Sequence, residues 1–174
     1  MITREYLQNV MPNAKYERIF LLLPALLEGC EKYQINTPKR ENQFIAQLAH
    51  ESGEFRYLEE LASGKAYEGR KDLGNTQPGD GVRFKGRGLI QITGRANYQS
   101  LSKDLGFDFI THPTELELPF YAAMSACWFW NSRGLNAIAD IGDFIRITKR
   151  INGGTNGIVQ RQMYLDRANK YNPI

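Results

Sequence analysis

The chain has 174 residues, 42% of them apolar and 24% charged, with a net charge of +3. Such a length suits one catalytic-sized domain over 1–174, without a separate wall-binding domain, and the composition is that of an ordinary globular protein. The mild positive charge falls far short of a nucleic-acid-binding surface, so no nucleic-acid partner is expected.

Two histidines and two distant cysteines, Cys30 and Cys127, argue against a metal site and against a structural disulfide. No cofactor is expected. The longest apolar run, 19–27, is interrupted by Pro24 and is too short to span a bilayer. Arg4 and Glu5 near the start, with no small-residue cleavage pattern, predict no signal peptide and no membrane insertion.

In chain order, Thr3 opens a short helix over 3–11 with Tyr6, Leu7 and Val10 as its apolar face, ended by Pro12. A second helix is predicted over 15–33, bent at Pro24. Thr37 and Pro38 then give an N-cap and a first-turn proline, which start an amphipathic helix over 38–51. Within it Phe44, Leu48 and Glu51 share one stripe. Glu51 lies at the C-terminal end, where the dipole disfavours an anion. That position suits a proton donor, although a last-turn glutamate leaning into solvent fits the spacing equally well.

Ser52-Gly53 breaks the helix. Nine residues along one straight helix would place Glu51 and Glu60 on opposite sides, whereas a turn at Gly53 lets them face each other. Two carboxylates on two elements are what hydrolysis of a glycosidic bond needs. Glu54, Glu59 and Glu68 compete with Glu60 for the second role, and spacing alone does not separate them.

The stretch 63–93 is rich in Gly, Lys, Arg and Asp, with a turn-prone centre over 75–81, and reads as a small irregular lobe. Gly86-Arg87-Gly88 lacks the spacing of a phosphate loop. Leu89 to Thr93 reads as a short strand, with Gln91 and Thr93 on one face and Ile90 and Ile92 on the other. That polar face is either solvated or able to hold a sugar hydroxyl or a water. A helix from Gly94 to about 105, stopped by Gly106, carries Asn97, Tyr98 and Leu101. Residues 107–119 form a loop. The run 120–130 is apolar nearly all round and marks a buried helix, whose Trp128, Phe129 and Trp130 are core by default. Asp143 caps a further helix, Asn152-Gly153-Gly154 turns the chain, and a last helix covers about 157–171.

Three separated stretches then carry a family resemblance. Ala49-His50-Glu51-Ser52-Gly53, the run from Phe84 through Gly94-Arg95 with Asn97-Tyr98, and Arg150-Ile151-Asn152-Gly153-Gly154 together resemble glycoside hydrolase family 19. That family comprises chitinases and a group of phage endolysins. Tyr67 to Gly81 is most similar to its bacterial and phage branch. The resemblance implies a mainly α, lysozyme-like, two-lobed helical fold with a central catalytic cleft.

It also implies that Glu51 is the general acid and Glu60 the general base, with Thr93 helping to position the water. Gln91, Asn97 and Asn152 would line sugar subsites, His50 would neighbour the acid, and Arg161 would pair with it. The plant members carry a glutamate where this chain has Asn156. An inverting mechanism would place the carboxyls roughly 6.5–9.5 Å apart.

On this resemblance the expected activity is a peptidoglycan-degrading endolysin cutting β-1,4 bonds between MurNAc and GlcNAc. It would reside in the host bacterial cytoplasm, act as a monomer and depend on a holin-type protein to reach the wall. The alternatives are a chitinase, a lytic transglycosylase needing one acid only, and a non-catalytic glycan-binding protein.

Overall fold

The helices begin where the sequence supplies caps. In the computed structural model, which describes Met1–Ile174, Thr3 accepts the Tyr6 amide at the start of α1 (Arg4–Val10). α2 (Tyr16–Lys32) continues through Pro24 as one helix instead of two arms. The carbonyl that Pro24 cannot serve belongs to Phe20, which faces solvent. Thr37 caps α3 (Pro38–Glu51) on the Arg40 amide.

α3 departs from its amphipathic reading. Every residue from Glu41 to Ala49 is buried, polar ones included. The polar groups are tolerated because nearly all are bonded. Asn42 accepts from the Tyr6 hydroxyl and donates to Asn169 and to the Asn172 carbonyl. Glu41 accepts from Asn172, and Gln43 donates to the carbonyls of Lys39 and Ala139. α3 is therefore the axis of the molecule and not a surface helix.

The segment after α3 is irregular, as expected for 63–93. It holds two single-turn 3-10 helices, Lys65–Tyr67 and Lys71–Leu73, and the short α4 (Asp80–Arg83). The predicted strand at 89–93 does not form. Arg87 and Ile92 exchange both backbone hydrogen bonds, and Gln91 takes a left-handed φ of 59°, so the chain makes a tight turn there. The outer side of Arg87 pairs with Glu59, so the pairing here is limited to two isolated antiparallel bridges. The alternation survives in burial: Ile90 and Ile92 are buried, while Gln91 and Thr93 are half-buried.

α5 (Arg95–Leu105) ends on Gly106. The loop at 107–119 contains a 3-10 helix, Pro113–Glu117, ahead of α6 (Pro119–Ser132). Trp130 is fully buried and Trp128 nearly so, their indole N–H groups donating to Asn136 and Asp104. A helix the sequence did not announce, α7 (Leu135–Asp140), precedes α8 (Phe144–Asn152), which Asp143 caps. α9 (Ile158–Tyr171) closes the chain. α3 packs along α9 and α2 along α6. One hydrophobic cluster runs from Ile2 to Ala168, with Cys30 and Cys127 inside it as free thiols. No helix is long and apolar enough to cross a membrane.

The irregular lobe is pinned by charge as well as by the burial of Phe84, Leu89, Ile90 and Ile92. Asp80 accepts two bonds from the Arg95 guanidinium, at 2.6 and 2.8 Å, and one from the Gln77 amide. The Arg95 hydrogen bonds hold its carboxyl below the usual Asp range. Asn75 accepts from the Arg95 amide and donates to the Tyr67 carbonyl, which ties the lobe to α5.

Asp80→Asn should cost about 3 kcal/mol in urea unfolding, since it strands one partner of a buried pair. Because the folded carboxyl is the stronger acid, the wild-type contribution is complete above the ordinary Asp value of about 3.9. It fades as pH falls through the folded value. The stability difference between wild type and variant should therefore shrink below about pH 4. A difference that stays constant down to acid unfolding would contradict this.

Candidate active site

Two groups of predicted residues form, one on the helical body and one on the irregular lobe. The first centres on Glu51, in the last turn of α3. Glu51 Oε1 lies 2.5 Å from Arg161 Nη2, and the Arg161 side chain is 1% exposed. The contact is an ion pair by distance without the alignment of a directed hydrogen bond, and Oε1 itself is closed to solvent. The side chain as a whole is 18% exposed, which leaves Oε2 as the oxygen able to meet a substrate.

Arg161 is itself fixed on three sides. It donates to Gln47 Oε1 at 2.5 Å and to the Asn156 carbonyl at 3.1 Å, and Gln47 donates onward to Thr148 on α8. Asn156 serves Arg161 through its backbone carbonyl and brings no charge to the network.

His50 lies beside this group, with Nδ1 2.6 Å from Gln160 Oε1. Burial, then the Arg161 guanidinium, hold its pKa below the ordinary histidine value. A neutral ring at physiological pH follows. Gly157 packs against that ring so closely that a Cβ there would come within 2.0 Å of it.

The second group centres on Glu60. Oε1 accepts from the Tyr67 hydroxyl and Oε2 from the Gly86 amide, both at 2.9 Å, and the Glu60 amide donates to the Gly86 carbonyl. A Cβ on Gly86 would fall 2.8 Å from Gln91 Oε1 and 3.1 Å from Glu60 Oε2. Those two side chains thus converge on one glycine. Thr93 donates its hydroxyl to the Gln91 carbonyl, and Asn97 donates to the Thr93 carbonyl. Gln91, Thr93, Asn97 and Glu60 form one contiguous patch.

Asn152 is not drawn in. It ends α8 exposed and makes no side-chain hydrogen bond. The rival carboxylates have structural duties: Glu54 is buried against Asn13 and Tyr164, Glu59 pairs with Lys85, and Glu68 accepts from the Gly79 and Gly81 amides. No set of three His, Cys, Asp or Glu side chains is grouped to hold a metal.

The two groups are joined by the turn over 52–58, and no side-chain hydrogen bond or ion pair links Glu51 to Glu60. Gly53, Glu54 and Phe55 are all left-handed, with φ of 58°, 59° and 64°. For Glu54 and Phe55 this costs of order 1–3 kcal/mol each. The turn is held by Ser52, whose hydroxyl donates to the Leu48 carbonyl and accepts from the Phe55 amide, and by the Tyr57 amide on the Ser52 carbonyl.

Sequence reasoning missed Gln47, Tyr67 and Gln160. Gln47 had a usable signal, being one helical turn before Glu51 on the same face. Tyr67 and Gln160 had none, because Tyr67 meets Glu60 across an irregular segment and Gln160 on α9 meets His50 on α3 only through helix packing.

Two carboxylates are held on separate elements of a mainly helical fold, with hydrogen-bonding groups beside one of them, which is the kind of pair that glycosidic hydrolysis uses. The solved structures it resembles agree on the fold. Chitinase C from Streptomyces griseus superposes with a TM-score of 0.81 at 21% identity, covering 98% of this chain and 91% of that one. A family GH19, class IV chitinase from Zea mays gives 0.76 at 22% identity, over 98% and 90%.

Among sequences, a Haemophilus influenzae protein described as glycosyl hydrolase family 19 domain-containing is 29% identical over 194 residues, covering 92% of each chain. An endochitinase of Arabidopsis thaliana is 38% identical over 132 residues, 75% of this chain. The chain spans nearly all of the bacterial relative but only 45% of that plant protein. No family model matches the chain. In sequence the chain is similar to chitinase-like glycoside hydrolases of family 19, and it shares the fold of the solved chitinases.

Proposed function

We propose that this enzyme is an endolysin that hydrolyses the β-1,4-linked backbone of peptidoglycan with inversion at the anomeric carbon. The observation that carries the hydrolytic reading is the separate fixing of two carboxylates, Glu51 by Arg161 and Glu60 by Tyr67 and Gly86. In this reading Glu51 Oε2 carries the proton to the leaving oxygen, since Oε1 is closed off against Arg161.

Glu60 takes a proton from water. The Thr93 hydroxyl already donates to the Gln91 carbonyl, so its oxygen is left to accept. It would hold the water through one proton while Glu60 removes the other, leaving the lone pair free to attack. Gln91 and Asn97 extend the polar wall for sugar hydroxyls, and His50, neutral, lines the acid's side.

Peptidoglycan is favoured over chitin by the likeness of Tyr67–Gly81 to the bacterial and phage branch. The enzyme would accumulate in the host bacterial cytoplasm as a monomer and meet the wall once a holin-type protein opens the membrane. The rival reading, a chitinase, is favoured by the Arabidopsis relative and by the solved chitinases.

Purified sacculi digested with wild type and Glu60→Gln, followed by mass spectrometry of the products, test the choice. Hydrated reducing MurNAc ends from the wild type alone are expected. Anhydro ends with Glu60→Gln still active would mean transglycosylation. Cleavage of chitin oligomers without release from sacculi would make the enzyme a chitinase.

A further inference from the structure

A cavity beside the site lies outside both carboxylate groups. It has a volume of about 540 Å³ and is bordered by the start of α2, the 53–57 turn and α9. Its floor is Glu54, whose carboxylate is fully engaged: Oε2 accepts from the Asn13 amide, and Oε1 accepts from the Asn13 side chain and the Tyr164 hydroxyl. Burial, then the bond to Glu54, push Tyr164 up to about 12, so the phenol stays a donor.

The rim is cationic. Lys15, Arg18 and Arg56 all border the cavity, and none of the three makes an ion pair or a side-chain hydrogen bond. Six other basic side chains of this protein are paired with carboxylates. Three unpaired cations over one saturated anion leave a net attraction for negative charge, strongest in a concave site.

The cavity's position ties it to the catalytic groups. Gly53 and Tyr57 on its border belong to the turn connecting Glu51 to Glu60, and Gln160 on its border is the partner of His50. The strained left-handed run has a consequence here: it directs Glu54 into the floor while Arg56 and Tyr57 stay at the border. The volume falls in the range of sites that enclose a small organic ligand, about 300–1,000 Å³, well above the need of a single small ion.

We infer that this cavity is a subsite for the carboxylates of the peptide stem carried by the muramic acid residues of peptidoglycan. The assignment rests on the peptidoglycan reading given above. A stem of three or four residues reaches about 10–14 Å from its sugar, the scale on which a glycan held at Glu51 and Glu60 could send its stem past the 53–57 turn into this cavity. Chitin bears neither stem nor charge and would leave the three cations idle. The subsite would thus give the enzyme a preference for stem-bearing strands and a marked dependence on ionic strength.

Two arms test this on the full chain. In the first, a soluble stem tetrapeptide with free carboxylates is titrated by calorimetry into wild type, Lys15→Gln and Arg56→Gln, with its carboxamide form as control. Both substituted positions are exposed, so the fold should be retained. Binding is expected for the acidic peptide alone, and each substitution should weaken it about tenfold, or about 1.4 kcal/mol. No binding to the wild type, or equal binding by the variants, overturns the assignment. Inorganic phosphate or acetate binding as tightly as the peptide would also overturn it, leaving a plain anion site.

The second arm compares hydrolysis of intact sacculi with hydrolysis of glycan strands stripped of their stems by an amidase. The variants should show a KM raised about tenfold on stem-bearing strands, with kcat and the rate on stripped strands unchanged. Equal loss on both substrates overturns the subsite. Sacculi cut without any peptide binding would sink the subsite and spare the hydrolytic reading. Peptide binding with no cleavage of either glycan would do the reverse.

Discussion

Glu51→Gln is expected to slow glycan hydrolysis by about 10²–10⁴-fold, the usual contribution of a positioned general acid, and to lower thermal stability as well, because the buried Arg161 guanidinium loses its counter-charge. Gln keeps the shape and can still turn its amide oxygen toward Arg161, but it has no acidic proton to give. The loss should fall on kcat, because the proton moves only in the transition state. Substrates with a good leaving group need less protonation, so an activated aryl glycoside should lose far less than the natural strand. Steady-state kinetics on both substrates check this. An equal loss on the two, or a loss confined to KM, would remove Glu51 from the acid's role.

Arg161→Leu should be among the most destabilising single substitutions in the chain, by about 3–5 kcal/mol in urea unfolding. The guanidinium is enclosed among Gln47, the Asn156 carbonyl and Glu51. Removing it leaves Glu51 Oε1 and Gln47 Oε1 in a pocket that water does not reach. Gln47→Leu alone should cost less, since only one acceptor of the guanidinium is lost and the charge keeps Glu51. If the two effects are coupled, the double variant will be more stable than the sum of the singles predicts. Strict additivity would mean the relay is not a unit. Arg161→Leu should also depress activity beyond its effect on stability, because Glu51 loses the group that turns its carboxyl.

Local chemistry was legible where local chemistry decides. Thr3, Thr37 and Asp143 cap helices because a side-chain oxygen can reach an amide two or three residues on, whatever the rest of the fold does. Gly106 and Gly153 end helices in left-handed conformations for an equally local reason. Glu51 could be singled out because a glutamate at the close of a helix on an apolar stripe is a local pattern.

The errors were non-local. Gln91 and Thr93 alternate with buried isoleucines as a strand would, but the chain doubles back through the left-handed Gln91 and Ile92 pairs with Arg87 at a single bridge. α7 was overlooked because six residues after a glycine carry too little periodicity to announce a helix.

The sequence alone thus determined the order of the longer helices, the caps at Thr3, Thr37 and Asp143 and the break after Glu51, while it left Glu60 among several candidate carboxylates. The tertiary structure decided the rest. It buried α3 on all sides by giving its polar residues partners from α1, α8 and α9. It also chose Tyr67 and Gly86 to hold Glu60, and Arg161, 110 positions away along the chain, to hold Glu51. Contacts at that separation depend on how whole helices pack, and no window of residues around either carboxylate contains that information.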